Sequence, residues 1–296
     1  MRTDKEISPV SPPDAPDLIG NYTVRTLPFF RRIFIDSLNV MAASPNMLAL
    51  VEFDIAGSRS AVREARRHGA EVSFQAFFLK SVAEAVSEWP ELNAIPTKKK
   101  LYVFEDIDIN MPLELDIDGV QFPKQIVIRR ANTKSVTDIY REIEAARQKF
   151  LDEQVTGEED RWALRLMRLL TLFPAFVRRS IIRRISSNPL AVKKNYGTLH
   201  YTTVAGFAAA SGFVIPCLVN GNALDVTCGS IERKAVVRGH NVESRETMSV
   251  TLMFNHGVID GAPAARFSRR LKQLVESGEV LGDLRSGGAV AERTLP

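Results

Sequence analysis

Apolar residues recur along this chain in two rhythms. Met248, Val250, Leu252 and Phe254 alternate with Ser249, Thr251 and Met253, the period-two pattern of a strand with one buried face, and the run ends directly at Asn255-His256. Ala264, Phe267, Leu271, Leu274 and Val275 then fall at helical spacing, with Gly278 as the stop. A second helical stripe comprises Phe74, Phe77, Phe78, Val82, Ala85, Val86 and Trp89, with Ser73 as its N-cap and Pro90 as its limit. Its aromatics are read as core. Residues 47–54 read as a buried strand, followed by a polar helix ending at Gly69. Further strands are expected at 101–107, 125–129, 199–204 and 213–219, with a turn at Asp118-Gly119. A helix capped near Ser135 carries Val136, Ile139, Ile143 and Ala146 inward, and residues 29–35 open a helix or turn. Strands and helices interleave throughout, which predicts an α/β (α+β) sandwich.

Composition bounds this picture. The chain has 296 residues, 45% of them hydrophobic, enough for a full-sized core. Four prolines within residues 1–20 predict a flexible arm, followed by one domain over 21–280 and a tail over 281–296. Cys217 and Cys228 are expected to be reduced, buried thiols, and the four histidines have no partner at metal-ligand spacing. No signal peptide, dinucleotide fingerprint or P-loop is present, and the protein is expected in the cytoplasm. The formal net charge of +4 gives no reason to expect nucleic acid as a partner. Its distribution is uneven, because residues 161–224 hold nine Lys or Arg and no Asp or Glu. Arg161, Arg165 and Arg168 sit at helical spacing beside Trp162, Leu166, Leu169 and Phe173, and Arg178-Arg179 and Arg183-Arg184 follow Pro174. A basic helical insertion at about 155–194 is therefore expected. Either its apolar face packs against the folded subunits and its arginines form a solvated rim, or the segment over 161–194 is a docking face for an anionic membrane or a protein partner.

Candidate chemistry centres on His256-Gly257-Val258-Ile259-Asp260-Gly261, where a strand gives way to a short turn and a helix start. Such a place projects side chains from a rigid scaffold, and Gly261 relaxes the turn. Histidine offers a neutral base near neutral pH.

The order of segments from about residue 22 to 278 resembles the acyltransferase core of 2-oxo acid dehydrogenase complexes, within the chloramphenicol acetyltransferase-like superfamily. The resemblance rests on Arg31-Arg32-Ile33 with Ser37 and Met41, on Phe77-Phe78-Leu79-Lys80-Ser81-Val82-Ala83, and on Trp89-Pro90-Glu91-Leu92-Asn93-Ala94. It continues through Gly197-Thr198-Leu199-His200-Tyr201-Thr202-Thr203 to the His256–Gly261 motif. It implies a two-layer fold with a mixed sheet and helices on one side. It also implies transfer of an acyl group between coenzyme A and an acceptor thiol (or a hydroxyl or amine), without a metal. His256 would be the general base, and Thr202, or Thr203 one place on, the hydroxyl donor to the oxyanion. Asp260 would pair with Arg31 or Arg32 to fix the loop, with Asn255 and Gly261 supporting the site. The resemblance further implies a homotrimer with His256 of one subunit facing Thr202 of the next.

Three departures are visible. Asn255 and Gly257 stand where the family carries Asp and Arg, and Pro123-Lys124 interrupts an apolar run. The first twenty residues are too few for a lipoyl domain, so a stand-alone enzyme acting on a small acyl thioester is expected, and no coenzyme A contact is assigned. The alternative is a non-catalytic scaffold or regulatory relative that keeps the trimeric fold.

Overall fold

The computed structural model describes residues 20–41, 44–117, 120–152, 165–166, 168–206, 211–217 and 221–282. The expected arm over 1–19, the turn at Asp118-Gly119, Arg161, Trp162 and the tail beyond 282 lie outside them. Eight strands are present among the described residues: β1 (Asn46–Asp54), β2 (Ala94–Pro96), β3 (Leu101–Val103), β4 (Ile109–Ile117), β5 (Val120–Ile128), β6 (Leu199–Thr203), β7 (Leu224–Arg238) and β8 (Asn241–Asn255). Six form a mixed sheet in the order β1-β8-β7-β6-β4-β5, in which β6 runs parallel to both neighbours. Helices α1 (Phe29–Met41), α2 (Ala56–Arg67), α3 (Phe74–Ser87), α4 (Val136–Asp152), α5 (Ala175–Ser186), α6 (Pro189–Tyr196) and α7 (Gly261–Ser277) accompany them, with short 3-10 helices at Pro90–Asn93, Ala131–Thr133 and Glu279–Leu281. The interior lies between one face of the sheet and helices α2, α3, α4 and α7, which contribute Val62, Phe77, Ile139 and Phe267 to it. Phe254 at the end of β8 meets Phe267 of α7 edge to face at 5.8 Å, which ties the strand before His256 to the helix after it.

Local chemistry explains the boundaries. Ser73 Oγ accepts the Ala76 N–H at the start of α3. At α4, Ser135 Oγ accepts the Asp138 N–H while the Asp138 carboxylate accepts the Ser135 N–H, a reciprocal cap. Gly278 takes the left-handed conformation, φ +67°, that ends α7.

Three strand expectations are corrected, and one strand is added. The expected strand at 101–107 stops at Val103, because Asn93 Nδ2 donates to the Phe104 and Asp106 carbonyls and Asn132 Oδ1 accepts the Ile107 N–H. Side chains thus satisfy the backbone that a ladder would have used. Residues 213–217 form no strand, since they cross a bulge in β7 where Gly212 and Ser230 exchange hydrogen bonds, and Pro216 has no N–H to offer. Strand β7 itself was not anticipated, because its buried half also carries polar Asp225, Thr227 and Ser230. Finally, β8 is buried on both faces from Met248 to Asn255, with Ser249, Thr251 and Met253 all within 5% exposure, so its alternation does not mark an exposed face.

The basic segment docks on the rest of the chain through charge. Asp36 of α1 is buried and accepts from Arg178 Nε at 2.6 Å and Arg179 Nε at 2.8 Å on α5. Burial opposes its charge, yet hydrogen bonds from Arg179 and Arg178 hold its carboxyl below the usual carboxylate range. Arg178 is thus an internal tie, whereas Arg179 reaches the same carboxylate from an exposed position. Asp108 fixes the next turn in the same way, accepting from the Arg130 N–H, from Lys193 of α6 and from Arg129.

Gly197 links α6 to β6 at φ +70°, and a β-carbon there would stand 2.5 Å from the Asp108 carbonyl oxygen. Gly197→Ala therefore meets both a conformational and a steric penalty, expected to cost about 2 kcal/mol or more. Chemical denaturation checks this, and a variant as stable as the parent would contradict it.

Candidate active site

His256 follows the last residue of β8. Its N–H donates to the Pro45 carbonyl at 2.7 Å, while the N–H groups of Val258 and Ile259 turn back to the Asn255 carbonyl. The buried Asn255 side chain shapes this turn, since its Oδ1 accepts the Gly257 N–H at 2.9 Å. An amide oxygen thus does here what a carboxylate could do in its place, and at Gly257 a β-carbon would stand 3.1 Å from that same oxygen. The imidazole of His256 is half exposed, and its Nδ1 lies 3.6 Å from Asp260 Oδ1. That distance is too long for a hydrogen bond. Asp260 is also the N-cap residue of α7, where a negative charge favours the helix end. Asp260 faces His256, and Arg31 and Arg32 lie exposed on α1. Gly261 is the first residue of α7.

Thr202 and Thr203 are half-buried on β6, and Thr203 Oγ1 accepts the Ala205 N–H. Thr202 stands in register with Thr227 on β7, which in turn faces Thr251 on β8. His256 lies five residues beyond Thr251, so about 16 Å along the strands and two strand spacings across separate it from Thr202. The two do not meet within one chain.

Sequence reasoning missed the polar side chains behind Thr202. His200 and Asp225 face each other across β6 and β7, both buried, with His200 Nδ1 at 3.7 Å from Asp225 Oδ1. Asn110 faces His200 from β4. Oδ1 of Asn110, Oγ1 of Thr227, Oγ1 of Thr251 and both amide atoms of Asn222 are buried without a hydrogen-bond partner. Burial lowers the His200 pKa to about 4 and raises that of Asp225 to about 8, so both groups are neutral in the fold. The signal available in the sequence was the presence of His and Asp at strand positions of otherwise apolar pattern. The cysteines are free, but only Cys228 is buried as expected, its thiol pushed up to about 12 by burial, whereas Cys217 is exposed.

With this geometry in hand, the comparisons are specific. The chain matches the sequence profile of the 2-oxoacid dehydrogenases acyltransferase (catalytic domain) over residues 21–161 and 202–282, and it belongs to that family. It is 22% identical over 238 residues to the lipoamide acyltransferase component of the branched-chain alpha-keto acid dehydrogenase complex of Bacillus subtilis, covering 79% of this chain and 47% of that protein. The chain thus spans about half the length of such relatives. The fold is similar to a dihydrolipoamide acetyltransferase of Azotobacter vinelandii, with a TM-score of 0.64 at 16% identity, covering 93% of this chain and all of the other. It is also similar to the cubic core of a pyruvate dehydrogenase multienzyme complex, with a TM-score of 0.60 at 16% identity and the same coverage.

The buried pair yields a pH signature. From about pH 7.5 upward His200 is neutral in the folded chain and almost wholly so in the unfolded one, where its ordinary pKa is ~6.5, so Asp225 sets the difference. The folded chain keeps a proton that an unfolded carboxyl, with a pKa near ~3.9, has lost, and the stability this confers disappears as pH rises through about 8. Against Asp225→Asn, the parent should lose up to about 1.4 kcal/mol more per pH unit in this window. Thermal melts in buffers across pH 6–9 measure the difference, and parallel curves for the two proteins would contradict a protonated Asp225.

Proposed function

We propose that this chain is an acyl-CoA-dependent acyltransferase in which His256 is the general base and Thr202 of a second copy supplies the oxyanion donor. The observation that carries the reading is the setting of His256, a half-exposed imidazole held at a strand end by Pro45 and Asn255, with Asp260 facing Nδ1. That arrangement leaves Nε2 free to take a proton from an acceptor thiol. The thiolate sulfur attacks the carbonyl carbon of the acyl thioester, and the tetrahedral oxyanion accepts a hydrogen bond from the threonine hydroxyl. Collapse expels the thiolate of coenzyme A, which takes the proton back from the imidazolium. Atoms balance without a covalent enzyme intermediate, and coenzyme A is a substrate. In the opposite direction the same groups carry the acyl group to coenzyme A.

Family membership supports the chemistry. The Azotobacter vinelandii enzyme was investigated for the catalytic roles of a serine, a histidine and an asparagine, the last two spaced as His256 and Asp260 are. The separation of Thr202 from His256 within the chain supports a homotrimer, as does the likeness to a subunit of a multienzyme core. The scaffold alternative rests on the loss of the flanking Asp and Arg, and the Asn255–Gly257 hydrogen bond answers the first of these.

Two measurements test the assignment. His256→Ala should lower acyl transfer at least ~10²-fold in a thiol-release assay while the melting temperature is retained, and parental activity would end the enzyme reading. Thr202→Val removes the hydroxyl at nearly constant shape, with an expected loss in kcat of about 10²-fold and little change in KM. The same effect from Thr203→Val, with Thr202→Val silent, would move the donor by one residue.

A further inference from the structure

A helical turn at 168–170 runs through hydrogen-bonded turns to Phe173, Pro174 takes an extended conformation at ψ 152°, and helix α5 follows from Ala175. The N–H groups of Leu172 and Phe173 return to the Leu169 and Leu170 carbonyls, and those of Val177 and Arg178 to that of Pro174. Within the eight residues 169–176, Leu169, Leu172, Phe173 and Phe176 are 55%, 78%, 46% and 74% exposed. This is an apolar stripe turned to solvent. Phe176 is turned that way for a physical reason: Arg178, two residues and so 200° around the helix from it, is held by buried Asp36 on α1. The clamp fixes which face of α5 meets the protein and which does not.

Exposed cations frame the stripe, with Arg165 and Arg168 before it and Arg183 and Arg184 after it. No carboxylate occurs between residues 161 and 224 to neutralise them. The stripe also lies within 162–201, between the two stretches that match the family profile, so the family fold does not depend on it.

We propose that this stripe docks the protein on an anionic phospholipid surface, with Leu172 and Phe176 entering the acyl boundary and Arg183 and Arg184 at the headgroup phosphates. Charge complementarity selects this occupant. A second copy docking face to face would oppose the same uncompensated cations, which is repulsive. Nucleic acid would engage the arginines but leave four large apolar side chains in water. A lipid interface takes both, because guanidinium groups stay at the phosphates while aliphatic and aromatic side chains bury below them. The surface is separate from His256, so it stands or falls apart from the catalytic reading.

Co-sedimentation of the full chain with phosphatidylcholine vesicles, with and without about 30 mol% phosphatidylglycerol, tests it at low and at physiological salt. Binding is expected to be at least ~10-fold tighter to the anionic vesicles and to weaken as salt rises. Each cation near such a surface contributes about fivefold, so Arg183→Gln/Arg184→Gln should weaken binding about 25-fold. Leu172→Ser/Phe176→Ser should weaken it at least ~10-fold, and both variants should keep parental acyl transfer and mass. No binding to anionic vesicles at low salt overturns the proposal, as does equal binding to neutral ones or parental binding by either variant. Lipid-free self-association that Leu172→Ser/Phe176→Ser abolishes would assign the stripe to a second copy and likewise overturn it.

Discussion

The hydrogen-bond register of a twisted sheet cannot be adjusted by side chains, and this constraint governs where Thr202 and His256 stand. Strand β6 runs parallel to β7 and β7 antiparallel to β8, so Thr202 and His256 leave the sheet toward opposite ends. The two side chains together span only a few ångströms, far less than the ~16 Å their register sets between them along the strands. If both serve one reaction, the reacting atoms lie between two chains, and oligomerisation is part of the active site. The fold makes each half rigid: Phe254 and Phe267 lock the strand and helix on either side of His256, and Asp108 with Gly197 locks the entry to β6.

A second layer of organisation comes from buried carboxylates that each hold several cations. Asp36 ties α5 to α1, and Asp108 ties α6 to the start of β4. Breaking such a buried cluster by removing one partner leaves an uncompensated charge, which is why these contacts fix position well. Through them the segment that the family profile does not match becomes rigid with the core, and its apolar stripe is presented at a defined place. His200 and Asp225 follow the opposite logic, buried so far from water that they stay neutral.

Much of this was legible in the sequence, for physical reasons. The caps at Ser73 and Gly278, the stripe from Phe74 to Trp89 and the alternation into His256 are local signals, and the structure places the corresponding elements there. The fold class followed from their order, and the family from motifs spread over most of the chain. What was not legible depends on partners distant in sequence. Asn93 and Asn132 take the backbone groups of 104–107, which converts an expected strand into a loop. Asp225, Thr227 and Ser230 hide β7 because their burial depends on neighbouring strands. Asp36 claims Arg178 and Arg179 across some 140 residues, so an apparent charge run was in part an internal tie. Asp260, matched by motif to Arg31 or Arg32, also faces His256 from four residues further along the same loop.

Subunit complementation tests the shared site most directly. His256→Ala and Thr202→Val, each inactive alone, are co-expressed in equal amounts and the mixed oligomers assayed for acyl transfer. If His256 of one chain works with Thr202 of its neighbour, about a quarter of the interfaces in randomly mixed trimers carry both native groups, and about a quarter of parental activity returns. Activity that stays at the level of the separate variants would contradict a site built from two chains.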